Sequence, residues 1–303
     1  MSEASWSNYW QGREGDATGA LTGVESDREL QAYWSTVLSS GSYDAAFLDL
    51  ACGAGTVLKQ AASLGYTNLT GLDISPEAIN VLKNDIPIAK TLIASASKTG
   101  LSDKTFNLVV SQFGLEYAGA RAALSEAARL TAPHGRIETV MHMTGGAIEM
   151  EVQGHSDHCA ELLASGFIEK ASALFIGAYQ KNTTDAQTLM DEMSTARDRL
   201  SRLIKPNQRS LAAHLLSGTA QLWEKRAAYA LEDITGWLSG MKAEIEAYKS
   251  RMDSMISAAL DQNELRACAN VLQAQGFLVQ TRPLSLSGAE AAWALSAHRN
   301  IEM

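Results

Sequence analysis

Phe47-Leu48-Asp49-Leu50-Ala51-Cys52-Gly53-Ala54-Gly55, followed by Leu72-Asp73-Ile74-Ser75-Pro76-Glu77, carries the most information in this chain. The first segment reads as a buried strand and a glycine turn that opens a helix. The second reads as another strand ending in an acid. Such a turn can hold one end of a nucleoside ligand while the acid grips its ribose hydroxyls. A dinucleotide site wants G-x-G-x-x-G, but the position three after Gly55 is Leu58, and no third glycine stands nearby. A nicotinamide dehydrogenase is therefore disfavoured.

Outward from this core, strands alternate with helices. A helix is expected from the capping box Ser26-Asp27-Arg28-Glu29, stopping at Gly41. Strands are predicted at Phe47–Leu50, Leu69–Leu72, Thr91–Ala94, Phe106–Ser111 and Arg136–Met141, with helices at Thr56–Leu64, after Ser75-Pro76, and at Ala118–Leu130. Alternation of this kind implies βαβ units and a parallel sheet. The strand signal then vanishes for over a hundred residues. Thr184-x-x-Gln187 opens a helix that Lys205-Pro206-Asn207 breaks. Beyond it, Ala227, Leu231, Ile234, Leu238, Met241, Ile245, Tyr248, Met252 and Met255 form a heptad seam. The seam packs either inside the chain, which we favour, or against a second copy as a homodimer. Gly236 and Gly240 would admit a close backbone. The last forty residues return to helix Glu264–Gln275, strand Phe277–Leu284, the Ser287-Gly288 turn and strand Ala291–Ala297.

The D-x-x-C-G-x-G form, with the later segments, resembles class I S-adenosylmethionine-dependent methyltransferases over about residues 26–143 and 264–300. The resemblance implies an α/β fold: a Rossmann-like, mostly parallel seven-stranded sheet with an antiparallel C-terminal hairpin. A large helical insertion falls between strands five and six. The expected domains are 1–145, 146–263 as insertion and lid, and 264–303 completing the sheet. It also implies S-adenosylmethionine as cofactor. Gly53 and Gly55, with Ala51 in the same turn, leave room for its methionine part; Asp49 accepts from its amino group; Asp73 accepts from the ribose hydroxyls; Ile74 packs on adenine. Where the family usually places an acid for the adenine amino group stands Ser95, beside Ala96. Ser95 offers a hydroxyl without charge assistance. The stretch Ser111-Gln112-Phe113-Gly114 resembles the fourth motif of small-molecule and quinone or lipid methyltransferases, with Asn107 where Asp is commoner. It implies Ser111 and Gln112 near the sulfonium, and Glu116 and Tyr117 facing the acceptor. His142, at the carboxyl end of strand five, is the first choice for a base. Trp6, Tyr9 and Trp10 either pin a loose arm to the domain or fold over the cofactor, and Trp10 is carried as a cofactor contact.

Composition narrows the partners. Lys and Arg total 25 against 34 Asp and Glu, a net charge of −9, and no basic stripe is visible, which argues against nucleic acid. Three separated cysteines, Cys52, Cys159 and Cys268, offer neither a zinc knuckle nor a disulfide framework. His155 and His158 stand three apart without a third ligand, so no metal is expected. The N-terminal residues lack signal-peptide character and no run is long enough to span a membrane, so a cytoplasmic protein acting on a small-molecule acceptor is expected. The leading reading is methyl transfer to a small, rather apolar acceptor at oxygen, nitrogen or carbon. The alternative is a protein that binds S-adenosylmethionine without transferring its methyl group, the helical insertion then being a partner or dimer surface.

Overall fold

The computed structural model describes residues 24–180, 186–203 and 211–299. In chain order these hold α1 (Val24–Ser39), β1 (Phe47–Leu50), α2 (Thr56–Ser63), β2 (Leu69–Asp73), α3 (Pro76–Asp85), β3 (Lys90–Ile93) and β4 (Phe106–Gln112). A 3-10 turn at Leu115–Ala118 leads to α4 (Ala120–Leu130) and β5 (Thr131–His142). Then come α5 (Ala147–Ala164), α6 (Phe167–Tyr179), α7 (Ala186–Ser201), α8 (Leu211–Glu224), α9 (Leu231–Ala258), α10 (Gln262–Gln273), β6 (Phe277–Leu286) and β7 (Ala289–Arg299).

The sheet runs β3-β2-β1-β4-β5-β7-β6. Strands β1 to β5 pair in parallel, and β7 lies antiparallel to both β5 and β6. The chemistry of each strand follows its place. All four residues of β1 and all five of β2 are buried, as central parallel strands require, whereas Lys90 and Ile93 of the edge strand β3 are exposed. Strand order reverses between β1 and β4, which opens a crevice at their carboxyl ends, the place where open α/β sheets bind ligands. On one face, Ala123, Leu124 and Ala127 of α4 share a core with Leu265, Cys268 and Leu272 of α10. The expected mostly parallel, seven-stranded sheet with an antiparallel C-terminal hairpin is the observed one.

Two compact units divide the chain: one ends at Val152 and resumes at Ser254, and the other spans Gln153–Asp253. Inside the second, Ile234, Leu238, Met241 and Ile245 of α9 are buried with Phe167, Phe175, Leu200 and Leu215 from α6, α7 and α8. The middle of the heptad seam, from Ile234 to Ile245, thus packs into the unit's own core. Its first member, Ala227, falls in a 3-10 turn before α9 begins. Gly236 and Gly240 have nothing within 4 Å of an added Cβ, so they do not serve a close backbone approach. Gly218 of α8 is instead packed by a side chain: a Cβ there would stand 2.5 Å from the Trp237 ring. The Thr184 helix start and the Lys205-Pro206-Asn207 break lie outside the described residues. Among the described residues, no helix is long and apolar enough to cross a membrane.

The capping box expected at Ser26 does not form. Helix α1 has already begun at Val24, the Ser26 hydroxyl lies 2.8 Å from that of Ser287, and the Glu29 carboxylate accepts from the Ser287 amide. Both side chains anchor the β6–β7 turn instead. A true capping box occurs at Asp261 and Glu264, heading α10.

Candidate active site

Three residues of the turn after β1 sit in left-handed backbone: Ala51 at φ 54°, Gly53 at φ 53° and Gly55 at φ 82°. Glycine accepts this conformation freely; alanine does so at a cost. The turn is closed from its far side by Asp73, at the end of β2. One carboxylate oxygen of Asp73 accepts from the Gly53 amide at 2.8 Å and the other from the Ser75 amide at 2.9 Å. A carboxylate has about four lone-pair sites, so Asp73 can still receive a hydroxyl donor beside these amides. Ser75 then caps α3 by accepting from the Ala78 amide at 3.2 Å, with Pro76 as first helical residue.

Asp49 lies on β1 with only 1% of its surface exposed, and among the described residues its Oδ1 has no hydrogen-bond partner. Burial, and then the neighbouring charge of Asp73, push its carboxyl well above the usual carboxylate range. Burial likewise raises Asp73, although the amides of Ser75, Gly53 and Ile74 pull in the opposite direction. The Cys52 thiol, pushed up by burial and by both acids, stays protonated. Two buried acids and one oxygen lacking a donor make a site that a cationic ligand with hydroxyl groups would satisfy. The residues present therefore fit a nucleoside carrying an amino group. Ile74 beside them is 37% exposed, an apolar platform open to a flat base.

The other expected cofactor contacts are less uniform. Ser95 is half-buried and its hydroxyl lies 3.0 Å from that of Ser97. Ala96 is buried in the hydrophobic core. Ser111, expected at the pocket, is 1% exposed and donates its one hydroxyl hydrogen to the Leu50 carbonyl at 2.7 Å. It joins β4 to β1 and has no donor left for a ligand. Gln112 is half-buried, its side-chain carbonyl receiving the Trp34 indole N–H at 2.5 Å. Asn107 accepts from the Ala46 amide at 3.0 Å at the opposite end of β4, remote from the crevice. Trp10, with Trp6 and Tyr9, lies outside the described residues.

At the carboxyl ends of β4 and β5 a second group assembles. Glu116 Oε1 stands 2.6 Å from His142 Nδ1 and accepts from the His142 main-chain N–H at 3.0 Å. Both side chains are buried, and Glu116 Oε2 has no partner among the described residues. The Phe113 ring centroid lies 4.5 Å from that of His142, and the Tyr117 centroid 5.9 Å. Phe113 holds φ 53°, a strained conformation for a bulky residue. The three residues named from sequence, Glu116, Tyr117 and His142, do come together. Sequence reasoning missed Trp34 and Phe113; the Gln-Phe-Gly run gives a signal for Phe113, while nothing local marks Trp34. His155 stacks edgewise near Tyr248, and among the described residues no group of three or more metal-binding side chains exists.

Residues 48–138, which contain the turn, both acids and Glu116, match the family described as "Methyltransferase domain". Over those residues the chain is similar to a methyltransferase domain. The cofactor of such domains is S-adenosylmethionine. Over 93 residues the chain is 27% identical to the demethylmenaquinone methyltransferase of Chlorobaculum tepidum, covering 28% of this chain and 38% of that protein. The chain thus matches well under half the length of this curated relative. Among solved structures, the geranyl diphosphate C-methyltransferase of Streptomyces coelicolor A3(2) is similar at 10% identity, with 98% of each chain covered and a TM-score of 0.49. The N-methyltransferase NodS of Bradyrhizobium japonicum WM9 is similar at 20% identity, covering 46% of this chain and 75% of that one, with a TM-score of 0.40. The glycine turn, Asp73 and His142 lie at the carboxyl ends of β1, β2 and β5.

Proposed function

We propose that the protein transfers a methyl group from S-adenosylmethionine to a small, rather apolar acceptor. One observation carries the reading: two buried acids flank a left-handed turn at the switch point of the sheet, and Asp49 Oδ1 lacks a donor among the described residues. In this reading Asp49 receives the ammonium of the cofactor's methionine part, Asp73 the ribose hydroxyls, and Ile74 the adenine face. Ser95 contributes a hydroxyl, and Gly53 and Gly55 leave the approach unobstructed. When bound, S-adenosylmethionine supplies an electrophilic methyl group on a sulfonium. The protein's own part is alignment of that methyl group with an acceptor lone pair, and exclusion of water. Residues of about 146–263, the helical insertion, are proposed to select the acceptor, since the sheet domain's motifs are taken up by the cofactor.

A second reading is favoured by Ser95, whose hydroxyl faces Ser97 where the family usually has an acid. In it the protein binds S-adenosylmethionine without turnover. Isothermal titration of S-adenosylmethionine and S-adenosylhomocysteine, followed by an acceptor panel read as S-adenosylhomocysteine release, separates the two. Binding that is lost in Asp73→Ala, with release above background, supports transfer. Binding without release across the panel supports the second reading, and no binding to the wild type overturns both. Because Asp73 also holds the Gly53 and Ser75 amides, Asp73→Asn and a melting curve accompany the titration.

A further inference from the structure

We propose that His142 is the proton acceptor of this site, held in its working tautomer by Glu116, and that the methyl acceptor is accordingly a small conjugated molecule with an ionisable hydroxyl, a phenol or an enol. The inference rests on the methyl-transfer reading and names the class of molecule which that reading leaves open.

Geometry assigns the tautomer. Glu116 Oε1 already accepts from the His142 main-chain N–H at 3.0 Å. The same oxygen, 2.6 Å from Nδ1, accepts the ring N–H there as well, which leaves the ring's basic lone pair on Nε2. Nε2 has no partner among the described residues. The His142 backbone cannot turn to present another edge. Its carbonyl accepts from the Leu260 amide at 2.9 Å, and the residue pairs with Ala292 in the sheet. The position is also the carboxyl end of a strand next to the crevice, where the acceptor must come.

A buried His–Glu pair that served packing alone would have its polar atoms satisfied. Here Glu116 is 7% exposed with Oε2 unpartnered among the described residues. An imidazole that takes up a proton beside it becomes the cation which that carboxylate stabilises. The rings around His142 name the shape of the acceptor. Phe113, kept in strained backbone, and Tyr117 both pack near the imidazole, and aromatic neighbours of this kind suit a flat, conjugated molecule. In the step, the acceptor hydroxyl gives its proton to Nε2 and an oxygen lone pair bonds to the methyl carbon. The carbon–sulfur bonding pair stays with sulfur in the departing thioether. The imidazolium then releases the proton to water, so charge and atoms balance. Glu116 is a positioning residue; His142 is the one that touches the acceptor.

The test has two readouts. Long-range proton–nitrogen NMR of the cofactor-free protein reads the His142 tautomer directly, and an Nδ1–H ring is expected. The second uses substituted phenols graded in acidity from 4-methoxyphenol to 4-nitrophenol, with S-adenosylhomocysteine release as the signal. His142→Gln should lower kcat about 10²–10⁴-fold on the weakly acidic phenols. The loss should shrink toward 4-nitrophenol, which gives up its proton unaided. Binding of S-adenosylmethionine should stay within about twofold of wild type, since proton transfer is a separate task from cofactor binding. Glu116→Gln keeps an accepting oxygen but drops the charge, and should show a smaller loss with the same dependence on acidity. An Nε2–H ring in the wild type, or an equal loss on every phenol, overturns the role of His142. A wild type that binds the cofactor but methylates no phenol overturns the acceptor class. Failure to bind the cofactor appears in the titration alone and marks failure of the methyl-transfer reading.

Discussion

Asp49→Asn should make the cofactor-free protein more stable at neutral pH while weakening its hold on S-adenosylmethionine. Asp49 is 1% exposed, its Oδ1 is without a donor among the described residues, and Asp73 adds like charge. Leaving a buried polar atom unpaired costs about 1–3 kcal/mol, more if it is charged. The sign of the pH dependence follows from the raised carboxyl. Below the ordinary carboxylate range, near pH 4, folded and unfolded chains both keep the proton. As the pH rises past it, the unfolded chain ionises first and folded stability falls, continuing until the folded group also ionises. An amide does not titrate, so the difference between variant and wild type should be small at low pH and widen upward. A gain of that size raises Tm by about 2–4 °C per kcal/mol for a domain of 150–250 residues. Melting curves of both proteins from pH 4 to 8, with and without S-adenosylmethionine, make the measurement. The cofactor should raise the Tm of the wild type more than that of the variant. A variant that melts lower at pH 8, or whose melting follows the wild type at every pH, refutes the placement of an unpaired acid at this position.

Gly114→Ala should destabilise the sheet unit by about 1–3 kcal/mol, as overpacking does, because the new Cβ would stand 2.7 Å from the Ala51 carbonyl oxygen; denaturant unfolding reads it. Ile245→Ala should cost about 2–5 kcal/mol in the helical unit, where Ile245 is fully buried, and amide exchange should rise across α6 to α9. Glu126, held down to about 2 chiefly by the Arg129 guanidinium and further by Thr99, contributes stability above the ordinary value of 4.5 that is lost as pH falls toward 2. Glu126→Gln should flatten that acid limb of the melting profile.

The sheet was legible because its strands announce themselves: four buried residues in a row at Phe47–Leu50, and glycine and proline placed where turn and helix start need them. The heptad seam was legible for the same reason, as a period. What failed was local grammar overridden by distant partners. Ser26 and Glu29 spell a capping box, yet residue Ser287 claims both side chains. The Ser111 hydroxyl donates to the Leu50 carbonyl on the adjacent strand, a partner 61 residues away that no local pattern announces. The His142–Glu116 pair joins two elements 26 residues apart, so each residue could be suspected separately while the hydrogen bond that gives them a joint role could not. The same holds for Trp34 and Gln112, 78 residues apart.

The place of β7 has a consequence for the protein's synthesis. This strand covers the flank of β5, yet the ribosome must first make the helical unit from Gln153 to Asp253. At about 5–20 residues per second, that interval is of the order of 5–20 s. Throughout it, the Arg136–His142 stretch of β5, which β7 later pairs, is an open edge, a template for unwanted pairing. The nascent chain therefore passes through a stage in which its sheet is five strands wide and its longest strand is uncovered. Sensitivity to chaperone supply during translation, rather than to the stability of the finished fold, is what this order of elements builds in.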